Sequence, residues 1–420
     1  MSIELPVDQA RLRSDIESNG EFGAIDADGH GRTVLVGTEA NRRAREYLLE
    51  RMEAAGLDTR VDAVGNIVGR WEPPSADPDA APVAAGSHLD SVPEGGIFDG
   101  PLGVYATLET VRAMQDAGVD PQRPIEVVSF TEEEGTRFAG LLGSSVAAGD
   151  RTIGEVYALT DDGETFEEAL TEIGFVGEGR LDASNWDAWL ELHVEQSTRL
   201  EEAGVPVGVV TAITGISTCQ VTIQGEANHA GATPMGERTD ALAAASEFVL
   251  DVESAANEVV DSISETAVGT VGRLDVRPNA SNVVPGQVDL SIDIRDVEYA
   301  AMDSIAERVQ TSLDRLEDDR GVDTTFDRPY DLRPTEMNDR CREALHTAAT
   351  AVGIDAPDLH SGAGHDSQRI ADVTDAGMLF VRSQDGISHN PKEWTDWTDC
   401  AAATRVLGGA LASLAGVQGD

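Results

Sequence analysis

The sequence predicts an α/β protein, with a mostly parallel mixed sheet between helices, interrupted by an inserted α+β domain. Three observations predict it. Short apolar runs ending in polar or acidic residues alternate with helical stretches up to residue 213, alternating half-buried strands begin at about 214, and the first texture resumes near 330. A chain of 420 residues can bury a large core and favours two domains over one. The expected division is therefore residues 1–213 with 330–420 as one discontinuous domain, and 214–329 as the insert.

Residues 38–55 read as a helix, with Thr38 as its cap and Gly56 as its stop. APVAAGSHLD, PIEVVSFTEEE and AWLELHVEQ follow as strands, separated by helical stretches at 101–117 and 138–149. Each run ends in His, Asp or Glu, and in such sheets ligands gather at the carboxyl ends of the strands. In the insert, STCQVTIQGEA alternates as a strand, 239–257 reads as a helix, and TAVGTVGRLDV and GQVDLSIDIRD read as two more strands. Met302, Ile305, Val309, Leu313 and Leu316 then recur at spacings of three and four, the apolar face of an amphipathic helix. After DTTFDRPYDLRP come a helix at 338–352, an apolar strand at GMLFVR and a C-terminal helix at 395–415.

The charge balance restricts function. Thirty basic against 77 acidic residues leave a net charge of 30 − 77 = −47, and Lys392 is the only lysine. Nucleic acid is excluded as a partner, because phosphate binding needs a basic surface. The acids are spread along the chain rather than gathered in a tail, which reads as adaptation to a very salty cytoplasm, the hallmark of a halophile. No apolar run approaches the roughly 20 residues of a membrane span, and MSIELPVDQ lacks the basic and apolar parts of a secretion signal. A cytoplasmic protein with no membrane partner is expected. Cys219, Cys341 and Cys400 have no CxxC spacing and offer neither a disulfide framework nor a thiolate metal site.

Five of the eight histidines sit in glycine-rich or acid-rich loops: His88, His193, His229, His365 and His389. Imidazole and carboxylate are the ligands of zinc and related divalent ions, and two adjacent ions require a bridging carboxylate. In GSHLDSVPEGGIFDG, His88 ends a strand, Asp90 is expected to orient the His88 ring, and Asp99 returns after a glycine turn. TEEEGTRF supplies Glu132, Glu133 and Glu134, whose side chains must point in different directions, so that one can bind metal while its neighbour acts as a general base. ELHVEQ adds His193 and GISHNPKEW adds His389, so four segments are expected to converge.

Together GSHLDSVPEGGIFDGPLGV, TEEEGTRF, ELHVEQ, GEANHAGATPM, RPNASNVVPG, DIRD, SGAGHDS and GISHNPKEW resemble the hydantoinase/carbamoylase family of metal-dependent amidases. That family lies within the M20-like clan of dinuclear-zinc aminoacylases and peptidases. The resemblance implies a zinc-peptidase-like catalytic domain, a ferredoxin-like lid and dimerisation insert, and a homodimer. It implies two divalent metal ions per subunit, zinc foremost, with manganese, cobalt and nickel as alternatives. Asp99 would bridge them, His88 and His193 completing one site and Glu134 and His389 the other, with Glu133 as the general base. It places His229 near the developing oxyanion and Asn282 and Arg295 on the substrate carboxylate. Gln196 would belong to the same pocket, and His365, followed by Asp366, would stand close by as a substrate-side, supporting or proton-transferring residue.

The implied reaction is removal of the carbamoyl group of an N-carbamoyl-L-amino acid or related ureido acid, with allantoate amidohydrolase, β-ureidopropionase and N-acyl amino acid deacylase or peptidase as alternatives. Two features favour the carbamoyl-cleaving branch. Asp99 follows His88 by only eleven residues, and His193 stands where the clan's peptidases usually have a carboxylate.

Overall fold

Val83–His88, Ile125–Phe130, Ala188–Val194 and Ala376–Val381 are buried at every position. Continuous apolar runs without alternation take this place, in the middle of a sheet covered on both faces. In the structure, a computed structural model that describes residues 5–417, they pair in parallel in the order Ile125–Phe130, Val83–His88, Ala188–Val194, Ala376–Val381. Antiparallel strands flank them, Ile67–Trp71 and Asp58–Val61 on one side and Val207–Ile213 on the other, within a nine-stranded mixed sheet.

The helix Pro101–Ala117 is buried from residue 101 to 114 and lies directly on this sheet, with Trp397–Leu414 packed beside it. Its approach is set by Gly103, where a β-carbon would stand 2.4 Å from the Leu192 carbonyl oxygen. Thr38 caps Glu39–Ala54 by accepting from the Asn41 N–H, as its hydroxyl in extended backbone allows.

The chain divides into two compact units, one comprising everything up to Thr211 together with everything from Glu336, the other Ala212–Thr335. The second unit runs strand Gly215–Gln224, helix Ala241–Ser262, strands Val268–Arg277 and Gln287–Asp296, helix Tyr299–Arg320, and strand Asp323–Leu332. Its four strands form one antiparallel sheet in the spatial order Val268–Arg277, Gln287–Asp296, Gly215–Gln224, Asp323–Leu332. Alternate residues of the two central strands are buried, and they pack against Phe248 and the Met302, Ile305, Val309, Leu313, Leu316 stripe.

Two elements were not named from the sequence. The strand Asp323–Leu332 carries the unit past residue 329; Pro329 argues against a strand, but this one lies at the sheet edge and shifts register between Asp327 and Tyr330, so the missing N–H breaks no ladder bond. The helix Gln9–Gly20, capped by Asp8, buries Asp15 and Asn19 beside Leu12 and Ile16, so half of its inner face is polar and its periodicity is weak. Cys219, Cys341 and Cys400 are free and buried. Among the described residues no helix is long and apolar enough to cross a membrane.

Two measurements test this account. Gly103→Ala should destabilise the protein by about 1–3 kcal/mol in urea unfolding, because the helix must lift from the sheet. The melting temperature should rise between 0.1 and 1 M KCl, as the Debye length falls from about 10 to about 3 Å and repulsion among the acids is screened.

Candidate metal centre and active site

Parallel neighbours open their carboxyl ends on the same edge, and this brings His88 and His193 together with ring centroids 5.9 Å apart. The Nδ1 of His88 lies 3.2 Å from the Asp90 main-chain oxygen, and that of His193 lies 3.0 Å from the Val194 oxygen. A carbonyl can only accept, so both rings carry their proton on Nδ1 when neutral and turn the Nε2 lone pair toward the centre. Both Nε2 atoms face Asp99 Oδ1, at 3.5 Å for His88 and 3.1 Å for His193. The other Asp99 oxygen, Oδ2, lies 3.4 Å from His389 Nε2 and 2.7 Å from the Ser388 hydroxyl, with Gln196 Nε2 at 3.4 Å. Glu134 Oε2 is 3.3 Å from His389 Nε2, and Glu133 Oε2 is 3.6 Å from His88 Nε2.

The three consecutive glutamates diverge because the chain folds back where the strand ends at Phe130. Glu132 takes a left-handed φ of 54°, and its carboxylate accepts the N–H of Arg137 and Phe138 at 2.7 and 2.9 Å. That closes the loop on itself and leaves Glu133 and Glu134 toward the centre. Nothing in the sequence reading assigned Glu132 this work; its one clue was its position just ahead of the acid pair in a glycine-bearing turn.

Asp90 meets the His88 ring through its main chain. Its main-chain oxygen, not its carboxylate, orients His88: Asp90 Oδ1 stands 3.9 Å from His88 Nδ1, while Oδ2 accepts the Glu134 N–H at 3.2 Å. The carboxylate therefore positions the neighbouring acid, and the ring is held by the backbone two residues on.

His365 is buried, its Nε2 2.9 Å from the Ser361 hydroxyl and its ring edge-on to His193 at 4.6 Å. Asp366 opens the short helix Asp366–Ile370 and is buried with neither carboxylate oxygen hydrogen-bonded among the described residues. His229, Asn282 and Arg295 belong to the second unit. The short ladder Asn228–His229 with Val283–Val284 places His229 beside the Asn282 segment, where the Ala230 N–H donates to the Asn282 oxygen at 2.9 Å. His229 Nδ1 accepts the N–H of Gly231 and Ala232, which leaves the ring proton on Nε2 as an exposed donor. Arg295 holds Asp293 through Nε at 2.8 Å and a second nitrogen at 3.2 Å.

Electrostatics in the first unit follow from burying so many acids together. Burial, then Asp99 and Asp90, raise the Glu134 carboxyl to about 8. Burial, then Glu134, Asp366 and Asp90, hold Glu133 well above the ordinary range against the opposing His88. Burial resists the His193 cation, yet Asp99 and Glu191 outweigh it and lift His193 to about 9. Burial likewise opposes the charge on His88, but Glu133, Asp99 and Asp90 raise it well above its ordinary value. Burial and Glu191 push Asp366 up to about 8.

The donor set fits divalent ions. Donors 2.0–2.2 Å from a common tetrahedral ion stand about 3.3–3.6 Å apart. Asp99 Oδ1 stands 3.5 and 3.1 Å from His88 and His193, and His389 stands 3.4 and 3.3 Å from Asp99 Oδ2 and Glu134, close to that size, with the donor atoms of each set all within 4.8 Å of one another. His88 Nε2 and Glu134 Oε1 are buried with no hydrogen-bond partner among the described residues, a costly state unless a cation faces them.

Known proteins resemble this chain over most of its length. Residues 84–413 match the peptidase family M20/M25/M40. The chain is 39% identical to an N-carbamoyl-L-amino acid amidohydrolase of Geobacillus stearothermophilus, over 94% of this chain and 96% of that protein. It is 34% identical to a ureidoglycolate hydrolase of Arabidopsis thaliana, over 99% of this chain and 88% of that one. A crystal structure of a hydantoinase/carbamoylase family amidase from Burkholderia multivorans superposes with a TM-score of 0.90 at 35% identity, covering 98% of each chain. The chain thus belongs to the peptidase family M20/M25/M40 and, within it, to the hydantoinase/carbamoylase amidases, hydrolases of amide bonds.

Proposed function

We propose that the protein removes the carbamoyl group of N-carbamoyl-L-amino acids, giving the amino acid, CO2 and ammonia, with two divalent ions in its centre. One observation carries the reading: the buried Asp99 presents one oxygen to His88 and His193 and the other to Glu134 and His389. Those residues would hold the ions, and His and carboxylate donors suit zinc, manganese, cobalt or nickel. Bound there, the ions would polarise the ureido carbonyl and acidify the attacking water.

Glu133 takes the water's proton and returns it to the leaving nitrogen, a cycle suited to a carboxyl held above its ordinary range. Collapse of the tetrahedral species releases ammonia and a carbamate, which loses CO2. His229, a donor through Nε2, stabilises the oxyanion. Arg295 and Asn282 hold the substrate carboxylate, Arg295 through the two-pronged geometry it already makes with Asp293, and Gln196 belongs to the same pocket. The relatives' names support the class, since N-carbamoyl amino acids and ureidoglycolate both carry a ureido group and a carboxylate. Allantoate and N-carbamoyl-β-alanine share those groups and remain the alternatives, ahead of N-acyl amino acids and dipeptides.

The insert is read as a ferredoxin-like lid and dimerisation domain, and one feature supports a homodimer. Asn282 lies beside the Gln287 end of the strand Gln287–Asp296, whereas Arg295 lies eight residues along it, about 26 Å at 3.3 Å per residue. Two side chains and a small ureido acid do not bridge that span within one insert, which supports a second copy of the chain supplying part of this set. The cytoplasm of a salt-adapted cell is the proposed setting, on the charge of −47.

Ammonia release in molar KCl from N-carbamoyl-L-amino acids, N-carbamoyl-β-alanine, allantoate and acetylated amino acids tests the substrate; a preference for the acetylated panel would replace this reading by the deacylase one. Glu133→Gln should cut kcat by about 10²–10⁴ while the bound metal persists, and unchanged turnover would remove Glu133 from its role. Arg295→Lys should raise KM with little change in kcat, checked by steady-state kinetics. Metal affinity should rise with pH up to about 9, where His193 loses its proton in the metal-free protein, and protons should be released on binding in calorimetry.

A further inference from the structure

His389 is the weakest-anchored of the residues around Asp99. His88 and His193 stand at the ends of buried central strands, whereas His389 has a side chain 48% exposed and lies in a loop, in the left-handed conformation at φ 53°. A non-glycine residue there costs free energy and persists only where its surroundings overdetermine it. Four residues on, Glu393 is fully buried and makes that determination. Its Oε1 accepts the N–H of both Phe98 and Asp99 at 3.0 Å. Its Oε2 lies 3.1 Å from the Ser388 hydroxyl, which is also 2.7 Å from Asp99 Oδ2. One carboxylate therefore grips the backbone of the turn that presents Asp99 and, through Ser388, the residue preceding His389.

The surroundings are shaped to that grip. A β-carbon at Gly96 would stand 2.3 Å from Glu393 Oε1, so glycine is required for the turn to close over the carboxylate. The buried Arg32 donates to the Gly96 oxygen at 2.9 Å and reaches the Asp99 oxygen at 3.4 Å, placing a guanidinium on the other side of the same turn. Outside the loop, Lys392 pairs with Asp28 at 2.9 Å and the His30 ring stacks on Trp394 at 5.1 Å, so the segment after His389 is also tied to residues 28–32.

Resting on the two-ion reading, we infer that Glu393 is a positioning residue that locks the His389 loop to the Asp99 turn and thereby sets the affinity of the Asp99–Glu134–His389 site, but not that of the His88–His193–Asp99 site. It touches neither substrate nor reacting atoms and works through hydrogen bonds to the residues that hold the second ion. Loss of such a supporting contact costs about 10–100-fold in metal affinity.

The test is calorimetric titration of chelator-stripped full-length protein with Zn2+, and with Co2+ for its visible spectrum. Wild type should take up two ions. Glu393→Ala should bind the first ion as wild type does and the second about 10–100-fold more weakly, with the Co2+ bands of the second equivalent lost. Glu393→Gln should recover most of the second affinity, because its carbonyl oxygen can accept the same two N–H groups and its amide can donate to Ser388. Should Glu393→Ala not fold, Ser388→Ala should show the same selective weakening, having lost only the hydroxyl link. Two unchanged affinities in Glu393→Ala or in Ser388→Ala, or equal weakening of both sites, would overturn the inference while leaving the two-ion reading intact. Wild type taking up no ion would overturn that reading and the inference with it.

Discussion

The first unit is organised around the burial of Asp99 among groups that cannot all keep their charge. Its carboxylate is held well below the usual range because the charges of His193 and His88 outweigh the cost of burial, while Glu133 and Glu134 are pushed the other way. Burying so many like charges is costly, and the cluster lowers that cost by keeping acids neutral and histidines protonated or, where a divalent ion binds, by pairing them with it. The fold supplies the means to keep them there. Parallel strands end together, a glycine turn returns Asp99 beneath His88, and Glu132 spends its own carboxylate closing the loop that aims its two neighbours. Stability is thus traded for a donor set that divalent ions could complete.

The supports reach outward in layers. Main-chain carbonyls fix the proton of His88 and His193 on Nδ1 and so fix the orientation of both rings. Behind His193, the ring of His365 and the Ser361 hydroxyl fill the next layer. Glu191 sits under the strand ends, taking hydrogen bonds from Ser87 at 2.8 Å and from the Ser367 N–H at 3.0 Å. The buried polar groups that look expensive one at a time form a connected framework whose members mostly satisfy each other.

Much of this was legible from the residues alone. Apolar runs that break off at His88, Glu133 and His193 announce strand ends, because glycine and clustered acids cannot continue a strand, and the stripe from Met302 to Leu316 announces one helix face. What was hidden depends on backbone direction rather than residue type. Whether the carbonyl or the carboxylate of Asp90 meets His88 turns on the path of the backbone between them. Nothing in the sequence separates the work of Glu132 and Glu393 from that of their acidic neighbours, and only the fold shows each accepting two backbone N–H groups. The edge strand Asp323–Leu332 was masked by its proline, and the helix Gln9–Gly20 by the polar residues on its buried side.

The interruption of the first unit by the second has a consequence for how the molecule is born. His88 and His193 emerge from the ribosome long before His389, which is added 389 − 193 = 196 residues after His193. At about 5–20 residues per second that delay is roughly 10–40 s. Throughout it, the strand Ala188–Val194 lacks its partner Ala376–Val381, and Asp99 and Glu134 lack the histidine that faces them. The nascent chain therefore carries an open sheet edge and half a set of donors while the insert, whose strands pair only among themselves, is able to finish folding first.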